Sequence, residues 1–220
     1  MPAACLLVLG LPYISLKILN FDIDLFHLAF LTAGVTFLWV YKKRTSLQLR
    51  YALSSGWALG TILALFIGIG LLSYTLASKS NPIDLEFNSS IMIILWRGVV
   101  FGIVGAALIS AFPFVTVWRA FAGANPGNIR KIGVFITAVI AISLTSLSYN
   151  IGLSGFNKDR ISYNVKMSIL TGIPTLLSGN PIASPVAGAF LYSGESMFFE
   201  NESDASAGVK LAAKKPEGLN

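Results

Sequence analysis

The sequence predicts an all-α fold: a polytopic transmembrane bundle of about six helices, the last one broken by proline and glycine. Three observations predict it. Five or six long apolar runs recur along the 220 residues, each punctuated by charged or turn-forming residues; about 20 apolar residues span a bilayer core. Hydrophobic residues make up 55% of the chain and charged residues 12%, whereas soluble domains carry about 25% charge. The apolar runs are continuous rather than alternating, which favours helices over a closed barrel.

The elements follow in chain order. A first helix covers about 3–19, although Pro12 and Lys17 interrupt its apolar run. It lacks a basic leader and a clean small-residue cleavage site, so it does not read as a signal peptide. Asn20, Asp22 and Asp24 make a short acidic loop. A second helix covers about 25–41 and ends in Tyr41-Lys42-Lys43-Arg44. A third covers about 49–77 and is rich in small residues. Lys79 to Ser90 is a polar loop carrying the Asn81-Pro82 turn signal. A fourth helix covers about 91–121, and Asn125-Pro126-Gly127 marks the next loop, Ala122 to Asn128. A fifth covers about 132–153. Ser154 to Lys166 is polar, either a loop or an interfacial helix. The last segment, about 167–199, is broken by Pro174, Gly179, Pro181 and Pro185. The transmembrane domain is thus 1–199, and 200–220 is a polar tail of disordered character.

The net charge is +6. The basic residues sit in short loops, where they set membrane orientation rather than bind nucleic acid. Lys42, Lys43, Arg44 and Arg50 share one side with Arg119, Arg130 and Lys131, the expected cytoplasmic side of a plasma membrane. A six-helix count puts both termini there too. Lys158, Arg160 and Lys166 then fall outside, against the trend. Asn88-Ser89-Ser90 and Asn201-Glu202-Ser203 match the glycosylation triplet, a pattern common by chance. Cys5 is the one cysteine and His27 the one histidine, which leaves no disulfide and no multi-His or multi-Cys metal site. No cofactor is expected.

Four features stand out as candidates for chemistry. Arg97 lies about six residues into the fourth helix, where lipid makes a charge costly unless it is paired or snorkels. It either reaches the headgroups beside Trp96, or faces inward to bind an anion or pair with a carboxylate such as Glu195. Gly56 and Gly60, and Gly98, Gly102 and Ala106, recur at four-residue spacing and make faces that helices can approach closely. The broken last segment, with Ser178-Gly179-Asn180-Pro181, is either a plain kink or the unwound helix of a solute site. Asn150, with Thr145, Ser146, Ser148 and Tyr149 on the fifth helix, is placed to meet Asn180 across the bundle. His27, one turn into the second helix, reads as an interface residue, with a proton relay as the alternative.

Leu95-Trp96-Arg97-Gly98-Val99-Val100-Phe101-Gly102 and Ala111-Phe112-Pro113 resemble an uncharacterised family of prokaryotic multi-pass membrane proteins. So do Thr145-Ser146-Leu147-Ser148-Tyr149-Asn150-Ile151-Gly152 and Leu176-Leu177-Ser178-Gly179-Asn180-Pro181. The likeness covers about 90–195 and brings no established activity. The family pattern has histidine where this chain has Asn150, Gly188 and Tyr192. Two histidines four apart could share a helix face and hold a metal; this chain cannot do so. Intramembrane CAAX-type proteases need paired glutamates and several histidines, and neither is present.

The expectation is therefore a non-enzymatic membrane protein that binds or passes a small solute, with Arg97, Asn150 and Asn180 as ligand-binding residues. Its partners are the lipid bilayer and, through the glycine faces, another membrane protein or a second copy. The alternatives are a structural subunit of a membrane complex and a degenerate intramembrane enzyme.

Overall fold

The computed structural model describes residues 1–45, 56–78, 91–121, 128–154 and 157–198. The predicted start of the third helix, the 79–90 loop, the Asn125-Pro126-Gly127 turn, both glycosylation triplets and the tail from Glu200 lie outside them. Among the described residues the fold is entirely helical, with seven helices: α1 Pro2–Ile18, α2 Ile23–Thr45, α3 Trp57–Ser78, α4 Ile91–Ala120, α5 Asn128–Ser154, α6 Lys158–Ser178 and α7 Ala183–Ser196. Four are long and apolar enough to cross a membrane: α2, α3, α4 and the Lys131–Leu153 stretch of α5.

Local chemistry sets the helix ends. Pro2 starts α1, where its missing N–H is one of the unpaired donors anyway. Pro12 is tolerated because the helix widens directly after it, to i→i+5 turns over Tyr13–Ile18. Asn20 takes a left-handed φ of 50°, which its short side chain tolerates better than most. Asp22 Oδ1 then accepts from the Leu25 N–H at 2.7 Å and starts α2. Lys42, Lys43 and Arg44 close α2 at its negative dipole end. The Arg119 guanidinium, near the end of α4, donates to the Thr45 carbonyl at 2.9 Å and ties the two helix ends together.

The packing is inverted relative to a soluble bundle. On α3, Gly60, Ala64 and Gly68 are buried while Ile62, Leu65, Phe66 and Ile69 point outward, Phe66 being 79% exposed. Lipid gives such residues no reason to hide. Helix association rests instead on close backbone approach through small residues.

Those small faces are used within the chain. A Cβ at Gly98 would meet Ser193 of α7 at 2.6 Å, and one at Gly102 would meet the Gly188 carbonyl at 2.9 Å. Gly68 packs on Phe190, and Gly60 on Ser178 and Asn180. Thus α7 sits in a groove between Gly68 of α3 and Gly98 and Gly102 of α4, while Gly60 faces the end of α6 and the reversal.

The last segment breaks at Gly179, where its sequence signals a break, and the break is a full reversal between two helices. Residues 158–166, expected as a loop or interfacial helix, form the first half of α6. The chain then reverses at Gly179, which adopts φ 72°, and returns as α7. This adds a helix to the count. Met1 packs against the cluster of Phe114, Val117, Val134, Ala138 and Ala141. Further along α1, Cys5 lies beside Thr145 and Leu9 runs against Gly152, so α1 runs parallel to the later part of α5. The expectation that both termini share a side rested on six helices, and seven are described.

Candidate functional site

A half-open cavity of about 590 Å³ lies at the end of the bundle opposite the Gly179 reversal. It sits where α3 and α5 end, where α6 begins and where α7 finishes. Ser78 comes from α3, Leu153 from α5, Asn157, Asp159 and Arg160 from the start of α6, and Leu191 and Glu195 from α7. Four tyrosines, Tyr74, Tyr149, Tyr163 and Tyr192, form much of the wall, with Phe101 of α4. Phe101 stacks edge-on against Tyr192, ring centroids 5.6 Å apart. A small-molecule pocket is typically about 300–1,000 Å³ with a few placed polar groups, and this one falls in that range.

The start of α6 explains how charged groups come to the mouth. Asn157 caps the helix, its Oδ1 accepting from the Arg160 N–H at 3.2 Å. Asp159 in the first turn suits the positive dipole end. The cap thereby fixes Arg160 one turn into α6.

The floor of the cavity is a hydrogen-bonded ladder. Asn150 is 1% exposed. Its Nδ2 donates to the Ser146 carbonyl at 2.8 Å, and its Oδ1 accepts from Asn164 Nδ2. Ser146 and Ser168 share a hydroxyl–hydroxyl bond at 2.8 Å. Ser110 of α4 donates to the Ser168 carbonyl at 3.0 Å and lies 3.3 Å from the Thr171 hydroxyl. Asn164, Ser168, Thr171 and Thr175 recur at spacings of four, three and four, so they share one face of α6. Buried polar groups in a membrane are tolerated when satisfied in this way.

The three residues expected to bind ligand do not converge. Asn150 lines the cavity. Asn180 sits in the α6–α7 reversal, roughly 20 Å from Asn164 along α6 at about 1.5 Å per residue. Its Oδ1 accepts from the Ile182 N–H at 2.9 Å and its N–H donates to Ser178 Oγ at 3.1 Å, so its visible work is to close the turn. It does not reach Asn150. Arg97 pairs with Asp24, through Nε–H to Oδ1 at 2.8 Å and Nη2–H to Oδ2 at 2.9 Å. The guanidinium therefore neither snorkels alone nor takes Glu195 as its partner in that bond. Asp24, expected in the acidic loop, belongs to the first turn of α2.

His27 is 3% exposed, with Phe101 edge-on at 4.3 Å and Phe26 at 5.4 Å. It is buried among aromatic rings, one turn from Asp24 at the start of α2. Among the described residues, no three His, Cys, Asp or Glu side chains come together as a metal would need.

The sequence does not single out the tyrosines, Asp159 or Arg160 as parts of one site. A tyrosine near a helix end is the usual sign of an interface belt. Tyr74 and Tyr163 carry no signal that sets them apart from one, whereas Tyr149 stands among the polar residues noted on the fifth helix and Tyr192 at a position where the resembled family has histidine.

No family model, no curated protein and no solved structure matches the chain. The likeness noted over about 90–195 therefore adds no activity, and the reading of function rests on the cavity.

Proposed function

We propose that this chain is a multi-pass integral membrane protein that binds a small solute in the cavity between α3, α5, α6 and α7, as a carrier or receptor rather than an enzyme. The single observation that carries this reading is the cavity itself. It is a tyrosine-walled recess of about 590 Å³, more apolar than polar in its lining, with carboxamides, a guanidinium and carboxylates placed among the rings. A recess of this size with a few placed polar groups among aromatic walls has the make-up of a small-molecule site.

A binding role fits the lining better than catalysis. Nucleophilic catalysis needs a hydroxyl or thiol held against a base. The Ser168 hydroxyl is bonded to Ser146, and the chain's one histidine does not line the cavity. The basic helix ends at Lys42, Lys43, Arg44 and Arg119 support a cytoplasmic placement of that end. The cavity then opens on the far side of the membrane. The bilayer is the obligatory partner, and nucleic acid is not one. A partner subunit or second copy would use the outward apolar faces, since the glycine faces are occupied by α7 and by the end of α6 with its reversal.

The test is native mass spectrometry of the full chain released from gentle detergent, compared with Ser78→Trp. Ser78 lines the mouth and is exposed, so the indole blocks entry without disturbing the core. A reproducible extra mass on the wild type, absent from Ser78→Trp, supports the reading. A bare wild type, or a mass retained equally by the variant, removes it.

A further inference from the structure

We infer that the junction of α2 and α4 is a docking site for the headgroup of an anionic phospholipid, with Lys42, Arg44 and Arg119 as its cations. Two helix ends build it. Tyr41 stacks edge-on against Phe112, ring centroids 4.8 Å apart, and so marks the side of α2 that faces α4. Arg119, near the end of α4, reaches across and donates from Nη2 to the Thr45 carbonyl at 2.9 Å. That bond uses one guanidinium N–H and holds the rest of the fork at the junction.

Helical geometry decides which cations of α2 join Arg119. At about 100° per residue, Arg44 stands about 60° from the Tyr41 direction on one side and Lys42 about 100° on the other. Lys43 stands about 160° away, on the far face, where its Nζ lies 5.4 Å from the centre of the Trp39 ring. Lys42, Arg44 and Arg119 are all exposed.

Charge complementarity names the occupant. Among the described residues no carboxylate answers these cations. Asp22 and Asp24 lie at the other end of α2, roughly 30 Å away at about 1.5 Å per residue. Asp159 and Glu195 line the cavity. Glu195 follows Ser193, which packs on Gly98 near the start of α4, the end remote from Arg119. The negative end of the α2 dipole offsets only about half a charge. Trp118, next to Arg119, is 48% exposed, as an aromatic at headgroup level is. A phosphodiester brings a full negative charge, with oxygens that suit the Arg119 fork. The bilayer delivers that group to this depth, and basic pockets between helix ends take lipid headgroups in this way.

The test is native mass spectrometry of the full chain in about 0.15 M ammonium acetate, where charges are screened beyond about 8 Å. The protein is titrated with phosphatidylglycerol or with phosphatidylcholine of the same acyl chains, and the first bound lipid is read. Phosphatidylglycerol should bind at least about tenfold more tightly. Lys42→Gln and Arg44→Gln, both at exposed positions, should each weaken it about fivefold. Arg119→Lys should weaken it too, since lysine keeps the charge and lacks the fork. Lys43→Gln should change it less than about twofold, because a helix about 10–12 Å thick stands between. Equal binding of the two lipids overturns the inference. So does an equal loss in Lys43→Gln, which would show a diffuse positive surface and no site. Displacement of the bound lipid by inorganic phosphate would assign the cations to a free anion and overturn it as well. None of these variants touches the cavity, so the solute-binding reading stands or falls separately.

Discussion

Arg97 grips Asp24 through two parallel hydrogen bonds, at 2.8 and 2.9 Å, and so ties α4 to the first turn of α2. The two ends differ in exposure: the Arg97 side chain is 12% exposed and that of Asp24 56%. The asymmetry decides which deletion hurts more. Losing Asp24 leaves a half-enclosed guanidinium without its bidentate acceptor, whereas losing Arg97 returns an exposed carboxylate to water. Asp24→Asn should therefore cost more stability than Arg97→Gln, with a coupling between them of about 1 kcal/mol after solvent screening. A double-mutant cycle from thermal unfolding in detergent checks this. Strict additivity would mean that the pair is not an energetic unit.

The glycine contacts predict an effect on folding rather than on assembly. A methyl carbon added at Gly102 would lie 2.9 Å from the Gly188 carbonyl oxygen and 3.0 Å from the Cβ of Tyr192, and the first of these neighbours is backbone. Gly102→Ala should destabilise by about 1–3 kcal/mol, as overpacking does. Gly70 has nothing within 4 Å of the same position, so Gly70→Ala should be neutral or stabilise by up to about 1 kcal/mol through helix propensity. Unfolding midpoints of the two variants against wild type decide the matter. Equal midpoints would show that α7 does not pack as closely as described.

Much of the bundle is legible in the sequence because lipid leaves a plain mark on α2, α3, α4 and α5. Helix α6 is not, and the reason is physical. Lys158, Asp159, Arg160 and Asn164 open a helix beside a cavity and a buried ladder, and a polar helix face turned inward has the composition of a loop. Gly179-Asn180-Pro181 signals a break, and the helix does break there. Whether a break kinks a helix or reverses it depends on the partner surface, here the glycines of α3 and α4. The Asp24–Arg97 pair joins residues 73 apart in sequence, and no local pattern announces such a bond. Asn150 is legible because a carboxamide is costly in an apolar helix; the same reasoning points to Asn180, but its bonds are those of a turn.

Asn180 accordingly separates stability from binding. Asn180→Ala removes the acceptor of the Ile182 N–H, at a cost of about 1 kcal/mol. The cavity lies at the other end of α6 and should keep its ligand. Thermal unfolding and native mass spectrometry on the same preparation read the two effects apart. Loss of bound mass with an unchanged melting point would place Asn180 in the binding path after all.

Thr175 holds the reversal together from inside. Its hydroxyl donates to the Asn180 carbonyl at 2.9 Å and accepts from both the Ser184 N–H at 2.9 Å and the Ser184 hydroxyl at 2.7 Å. Thr175 and Ser184 are both fully buried. Thr175→Val keeps the shape and removes all three bonds. It leaves the Ser184 N–H, at the start of α7, and the Asn180 carbonyl without this partner. Orphaned buried groups cost about 1–3 kcal/mol, so Thr175→Val should lower stability by that amount. Thr175→Ser keeps the hydroxyl and loses one methyl, and its cost should be clearly smaller. Chemical denaturation in detergent gives both numbers. A serine variant as unstable as the valine variant would show that methyl packing, and not the hydroxyl, fixes the turn between α6 and α7.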